Sequence, residues 1–294
     1  MLFVIVAALI FFGIYLAKPK FKNNTTPAGD DVFVNDIILN GSIAFFRGLD
    51  KKEKQQFEAE VTEFLGNVKI TGVDTTVENL DRILVAASAV IPVFAFPEWK
   101  YYNLKEVLLY SDTFNDNFQT EGEERSIMGM VGSGYMEGKM LLSKHALHQG
   151  FKNDSDKNNT AIHEFVHLID KADGDTDGIP KQLLSKQYTI PWLDMTYKKM
   201  QEIINNNSDI NPYGSTSKAE FFAVAAEYFF ERPDLLQQKH PELYKLLQHI
   251  FQQDPEVQLQ KLKSKIGRND LCYCGSGLKY KDCHLKADNE SRQS

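Results

Sequence analysis

His163-Glu164-Phe165-Val166-His167 decides how the rest of this chain is read. On a helix, residues four apart sit one turn above each other, so both imidazoles can reach one metal ion while Glu164 points at a water on it. Zinc suits such donors, and a catalytic zinc takes three protein ligands and keeps a fourth position for water. His163 and His167 supply two, and three carboxylates compete for the third place. Glu220 follows Ser217-Lys218-Ala219 in a capping-box pattern, in which its carboxylate would only reach back to a backbone N–H. Glu227 lies two turns further along the same face, amid Ala223, Val224 and Ala226, where a carboxylate needs a partner such as a ligand histidine. Asp170, one turn beyond His167, suits an outer acceptor for an imidazole N–H. Spacing alone ranks Glu220 and Glu227 nearly equal.

The composition fits a globular domain with an appendage. The 294 residues are 43% hydrophobic and 25% charged, enough for one substantial core. A net charge of −7 argues against a general nucleic-acid binder. All three cysteines fall between Cys272 and Cys283, so the main domain has no disulfide framework. Met1 to Ala17 are uncharged and mostly apolar, at the short end for a membrane span, and the basic Lys18, Lys20 and Lys22 follow them. No basic start or small-x-small cleavage site marks a secretory signal. The expectation is a single-pass anchor in the cell inner membrane, with the catalytic domain facing the cytoplasm.

The expected organisation is an anchor at 1–17, a linker at 18–30, a domain carrying the zinc site at 31–255, a linker at 256–266, a zinc motif at 267–285 and a disordered tail at 286–294. Asp50 is placed to cap an amphipathic helix to about Leu65. A second helix is expected from about Val77 to Val90, stopped by Pro92. Lys105–Tyr110 and Gly138–Ser143 suit strands, and Asn115–Gly134 between them reads as loop. Thr160 would cap the helix bearing the two histidines, and further helices are expected near 191–205, 217–231 and 240–253. The fold class is therefore α+β, mainly helical, with a small sheet. Met140-Leu141-Leu142 could offer a strand edge to substrate backbone. Asp173-Gly174-Asp175-Thr176-Asp177-Gly178 resembles the opening of a calcium loop, but Leu184 stands where its bidentate Glu should be. His145, His148, His240 and His249 read as surface residues.

Taken together, several stretches resemble the Mlc titration factor A family of zinc peptidases: His163 to Asp170, Asp173-Gly174-Asp175 and Gly178-Ile179-Pro180; Pro212-Tyr213-Gly214; Ala219 to Val224; Glu227 to Phe230; and Gln252 to Pro255. The likeness spans roughly residues 35–257. Tyr213, seven residues before Glu220, is also similar to a pairing in the catalytic domain of anthrax lethal factor. The resemblance implies a zincin-type domain in which Glu220 is the third zinc ligand, Tyr213 helps stabilise the transition state, and Glu227 is a supporting residue. Gly134-Tyr135-Met136-Glu137 departs from the family's Gly-x-Ala-Trp run, so substrate preference does not carry over. The implied reaction is zinc-assisted hydrolysis of a peptide or protein, with Glu164 as the base that moves the water proton and Tyr213 steadying the oxyanion.

Cys272, Cys274, Cys283 and His284 form a C-x-C-x8-C-H set inside a stretch too short to build a core of its own. Three thiolates and an imidazole can close a tetrahedral zinc site, and metal binding then supplies the folding energy. With Gly267-Arg268-Asn269-Asp270 before it and Gly275-Ser276-Gly277 inside, it closely resembles the SEC-C motif. The expectation is two zinc ions, one catalytic and one structural. The resemblance implies a docking tail with a basic rim of Arg268, Lys279 and Lys281, whose partner would be a chaperone, a ribosome or a repressor. A binding protein that sequesters a transcriptional repressor is the alternative reading of the whole chain.

Overall fold

The structure is a computed structural model that describes residues 34, 36–122, 125–152, 157–274 and 276–291. Two short helices, α1 (Asp36–Ser42) and α2 (Ala44–Gly48), lead into α3 (Lys51–Asn67). Asp50 caps α3 in a full capping box with Glu53. Strand β1 (Lys69–Val73) is followed by α4 (Asn79–Val93), then β2 (Glu106–Tyr110), β3 (Gly129–Val131) and β4 (Lys139–Ser143). The remainder is helical: α5 (Lys144–Lys152), α6 (Thr160–Asp170), α7 (Thr189–Ile204), α8 (Lys218–Glu231), α9 (Pro233–Lys239), α10 (Pro241–Phe251), α11 (Pro255–Lys265) and α12 (Leu285–Ser291). The chain is thus mainly helical α+β.

The four strands form one mixed sheet in the order β1-β2-β4-β3, with β1, β2 and β4 parallel and β3 antiparallel at the edge. Both faces are covered, so β2 and β4 read as continuous apolar runs. Val107, Leu109, Met140 and Leu142 join the main core, whereas Tyr110 and Leu141 pack under Phe114 on the opposite face. Helix α6 is buried nearly all round, and Phe165 meets Phe64 of α3 edge-on. Burial on nearly every side sets this helix inside the core, into which it carries the two histidines.

Several expectations are corrected. Among the described residues no helix is long and apolar enough to cross a membrane. The longest, α3, has 17 residues and a charged face. Residues 1–17, on which the anchor was placed, lie outside the described residues, and the membrane-anchored, cytoplasm-facing placement is withdrawn. The stretch read as a linker, 256–266, falls mostly in α11, because Asp254 caps it and Pro255 starts it. Residues 285–291 form α12 where a disordered tail was expected from 286. Pro92 does not stop α4 but sits in its last turn. Strand β3 lies inside the stretch read as loop, and it, not β4, lies at an edge of the sheet: Met140, Leu141 and Leu142 are fully buried between two neighbours.

Two local devices hold this frame. Glu106 of β2 accepts from Thr71 of β1 (2.6 Å) and Lys139 of β4 (2.6 Å), with Lys69 at 3.2 Å, so one carboxylate pins three strands. Burial works against its ionisation, but these donors hold its pKa down at about 2. A folded value below the ordinary 4.5 means that the stabilisation is complete above about pH 4.5 and is lost as pH falls toward 2. Stability should therefore drop across that window, and Glu106→Gln should flatten that part of the acid limb in urea melts. Gly178 sits at φ +74°, and a Cβ there would meet Lys218 O at 2.4 Å. This lets the loop after α6 pass directly over the start of α8. Gly178→Ala should cost roughly 1–3 kcal/mol from backbone strain alone, visible as a lower urea midpoint.

Candidate metal centre

The α6 N-terminus is built by Asn159 rather than by the expected Thr160. The Asn159 side chain accepts from Ile162 N (3.1 Å), and its own backbone N–H donates to Glu227 Oε2 (2.7 Å). Its amide donates to Glu231 Oε1 at 3.0 Å. From α8, the other Glu227 oxygen accepts from His163 Nδ1 at 2.7 Å. A carboxylate can only accept here, so Nδ1 carries the proton, and in the neutral ring Nε2 keeps its lone pair.

That Nε2 faces two further acceptors. Glu220 Oε2 lies 2.9 Å away and His167 Nε2 3.0 Å away, while His167 Nε2 and Glu220 Oε2 are 3.3 Å apart. Three such donors converging need a shared cation, a role that either a proton on His163 Nε2 or a metal ion can fill. Burial disfavours charge on His163, yet hydrogen bonds to Glu220 and Glu227 push its pKa up to about 10. Burial also disfavours the Glu220 charge, but the two imidazoles hold that carboxyl at about 2. Ligand atoms about 2.0–2.1 Å from a tetrahedral zinc stand roughly 3.3 Å apart, close to the three separations found. His163, His167 and Glu220 therefore fit one zinc ion. Ser217 does cap α8, accepting from Glu220 N at 3.1 Å, but the Glu220 carboxylate turns to the histidines instead of closing a capping box. Glu227 approaches the other face of the same imidazole.

Glu164 is almost wholly buried, and burial raises its pKa above the ordinary carboxylate value against the pull of His163 and His167. It lies against β3: a Cβ on Gly129 would come within 2.7 Å of both Glu164 Cγ and Oε1. Gly129 is a site residue that went unread, since one glycine in a polar loop carries no periodic signal. Tyr213 stands on a short 3-10 turn (Pro212–Ser215) held by Asn211, whose side chain accepts from Tyr213 N. Its ring centre is 6.1 Å from that of His163, it is 53% exposed, and partial burial with the Glu220 and Glu164 carboxylates raises its pKa. The group nearest the solvent side of the site is thus a protonated phenol.

Asp170 departs from expectation. One carboxylate oxygen accepts from Gly178 N at 2.9 Å, while the other oxygen and His167 Nδ1 are both buried without a hydrogen-bond partner. Its role here is to tie down the loop that crosses α8. The acidic loop does not gather a cation site, because Asp173, Asp175 and Asp177 all surround the Lys181 ammonium at 3.2–3.3 Å. Two histidines read as surface residues are engaged: His148 pairs with buried Asp81 at 2.6 Å, and buried His240 with Asp209 at 2.8 Å.

A second donor set lies at the C-terminal end. Cys272 Sγ and Cys283 Sγ are 3.3 and 3.1 Å from His284 Nδ1, and Cys274 Sγ is 3.6 Å from Cys283 Sγ. Thiolates at about 2.3 Å from a tetrahedral zinc stand roughly 3.8 Å apart, so these four residues also fit that ion, with no position left open.

Residues 33–252 match the family model of the glucose-regulated metallo-peptidase M90, and residues 268–286 match that of the SEC-C motif. An uncharacterised protein of Synechocystis sp. is 29% identical over 233 residues, covering 75% of this chain and 84% of its own. The Mlc titration factor A of Pectobacterium atrosepticum is 25% identical, covering 76% and 88%, and that of Escherichia coli is 27% identical, covering 75% and 86%. A solved structure from Bacteroides caccae, described provisionally as a zinc-binding metallo-peptidase, aligns at 12% identity with a TM-score of 0.34, covering 74% of this chain and 94% of that one. That overlay is too loose to bear on the fold.

The geometry separates the two α8 carboxylates experimentally. Glu220→Ala should empty the α6–α8 site, whereas Glu227→Gln should keep it with metal affinity weakened about 10- to 100-fold, as for an outer partner of a ligand histidine. Zinc quantification after equilibrium dialysis checks both; metal lost from Glu227→Gln but kept by Glu220→Ala would reverse the assignment.

Proposed function

The chain belongs to the glucose-regulated metallo-peptidase M90 family, and on that premise we propose that it hydrolyses peptide bonds with a zinc ion held by His163, His167 and Glu220. The observation that carries this reading is the convergence of those three donors beside a buried carboxylate, Glu164, that none of them engages. Zinc held there supplies Lewis acidity and lowers the pKa of water from 15.7 to about 7.

This chain's own residues do the rest. Glu164, whose raised pKa brings it nearer to the working pH, accepts the proton of the attacking water and passes it to the leaving amine. Gly129, by lacking a side chain, leaves that carboxylate its place against β3, where a Cβ would clash with it. The Tyr213 hydroxyl donates to the carbonyl oxygen as negative charge develops there. Substrate backbone pairs along the outer edge of β3. Met128 O and Gly132 N are spent on β4, so the alternation of the strand turns the polar groups of Gly129 and Val131 outward. Glu227 keeps His163 in the tautomer whose Nε2 can bind metal. We assign the substrate only as a peptide or protein. The basic rim of Arg268, Lys279 and Lys281, exposed on the knuckle, remains the surface for a protein partner.

A second reading is favoured by the name of the relatives, which describes titration of another protein: the domain would capture a partner, with cleavage incidental. One substitution divides the two. Glu164→Gln should retain zinc and lose turnover of a peptide library by about 10²- to 10⁴-fold, while a pure binder would be unaffected. Tyr213→Phe should lower kcat by about 10²-fold with zinc content unchanged. If wild-type protein with full zinc cleaves nothing in the library, the peptidase reading fails.

A further inference from the structure

Lys263 of α11 is an unusual lysine, with only 9% of its side chain exposed. Its ammonium lies 3.1 Å from Asp288 of α12, 3.7 Å from Asp234 of α9 and 5.1 Å from the ring centre of Tyr273. A lysine so far out of water needs a close carboxylate, and the nearer one comes from the C-terminal knuckle. Asp288 is itself buried and accepts from the hydroxyls of Tyr273 (3.0 Å) and Tyr280 (2.9 Å). From the other side, Arg47 of α2 donates to Tyr273 O at 2.8 Å. The inner face of the knuckle is thus spent on α2 and α11 of its own chain, around a cavity of about 270 Å³ lined by Phe45, Phe230, Leu259 and Leu262. The basic rim is on its exposed surface.

The knuckle has little of its own to hold this grip in shape. Its buried core is Cys272, Cys274 and Tyr280, and two of those three belong to the donor set. The gripping groups are interleaved with the donors: Tyr273 stands between Cys272 and Cys274, and α12 starts directly after His284, whose carbonyl accepts from Asp288 N at 2.9 Å. We propose that the knuckle is an intramolecular clasp whose partner is the α2–α11 face of this chain, and that metal bound by Cys272, Cys274, Cys283 and His284 keeps it closed. This rests on the fit of the four donors to zinc and is independent of whether the α6–α8 site cleaves peptides. Metal loss would release Tyr273, Tyr280 and Asp288 together, leaving Lys263 with the distant Asp234 and uncovering the apolar cavity wall.

Hydrogen exchange on the full chain loaded with zinc tests this, with zinc content measured in parallel. Cys283→Ser should lose one zinc equivalent and speed exchange in α11 and in Ala44–Gly48 at least tenfold, with α6 still protected. Asp288→Ala leaves every donor in place, and should keep both zinc equivalents while exposing α11 in the same way. Arg268→Ala combined with Lys281→Ala, on the outer rim, should leave exchange at the wild-type rate. The proposal is overturned if Cys283→Ser loses its zinc while α11 stays as protected as before, or if Asp288→Ala leaves α11 protected.

Discussion

The candidate site depends on one imidazole held from both sides. His163 has Glu227 at Nδ1 and Glu220 at Nε2, and both carboxylates come from a single face of α8, two turns apart. This explains why spacing could not choose between them, since both reach the same histidine and differ only in which nitrogen they meet. The nitrogen decides the chemistry. A carboxylate at Nδ1 accepts from the ring N–H and fixes the tautomer, leaving the carboxylate at Nε2 to share the lone-pair side with His167.

Bringing α6 and α8 so close imposes costs that the surrounding sequence offsets. Ala161 on one helix and Ala219, Ala223 and Ala226 on the other are small and buried, as a close crossing requires. The chain leaving α6 must double back over the α8 N-terminus, which needs the left-handed Gly178, tied by Asp170 at its N–H and by the Trp192 indole at its carbonyl. Tyr213 is delivered by a loop whose root, Asp209, accepts from Lys157, Tyr228, Lys239 and His240. Those donors keep the Asp209 carboxyl far below its ordinary range, so the loop is anchored by an ion that stays charged. Rigid support on three sides lets the few polar groups in an apolar core keep their separations.

Legibility followed periodicity. The helices α3, α4, α7, α8 and α10 and the strands β2 and β4 showed in the sequence because each repeats an apolar pattern over enough residues to be read. Strand β1, Lys-Ile-Thr-Gly-Val, is as long as β2 and β4 but broken by Thr71 and Gly72, and β3 has only three residues, so neither stands out and their pairing comes from the sheet, not from local preference. Helix α11 looked like a linker because Lys, Gln, Glu and Ser separate its few apolar residues, of which Leu259 and Leu262 line the cavity beside the knuckle. The donors themselves were legible, because chemistry restricts them to a few residue types at fixed spacings. The residues that make room for them, Gly129 and Gly178, were not: what they contribute is an absence of side chain opposite a partner distant in sequence.

The two donor sets differ in closure, and closure divides their work. At the C-terminal end four donors are placed to close a tetrahedron, so a metal held there would have only a mechanical part, that of fixing the tail against α11 as proposed above. Between α6 and α8 only three donors converge, so a metal held there would keep a position open, with Glu164 packed against β3 nearby and Tyr213 partly exposed beside His163. A site that only needed to bind tightly would gain from a fourth ligand there, and Glu164, buried one residue from a ligand, is the residue that could have been turned inward. It is instead packed against Gly129 with its proton affinity raised, which on the proposed reading forgoes coordination and leaves a base beside an open position.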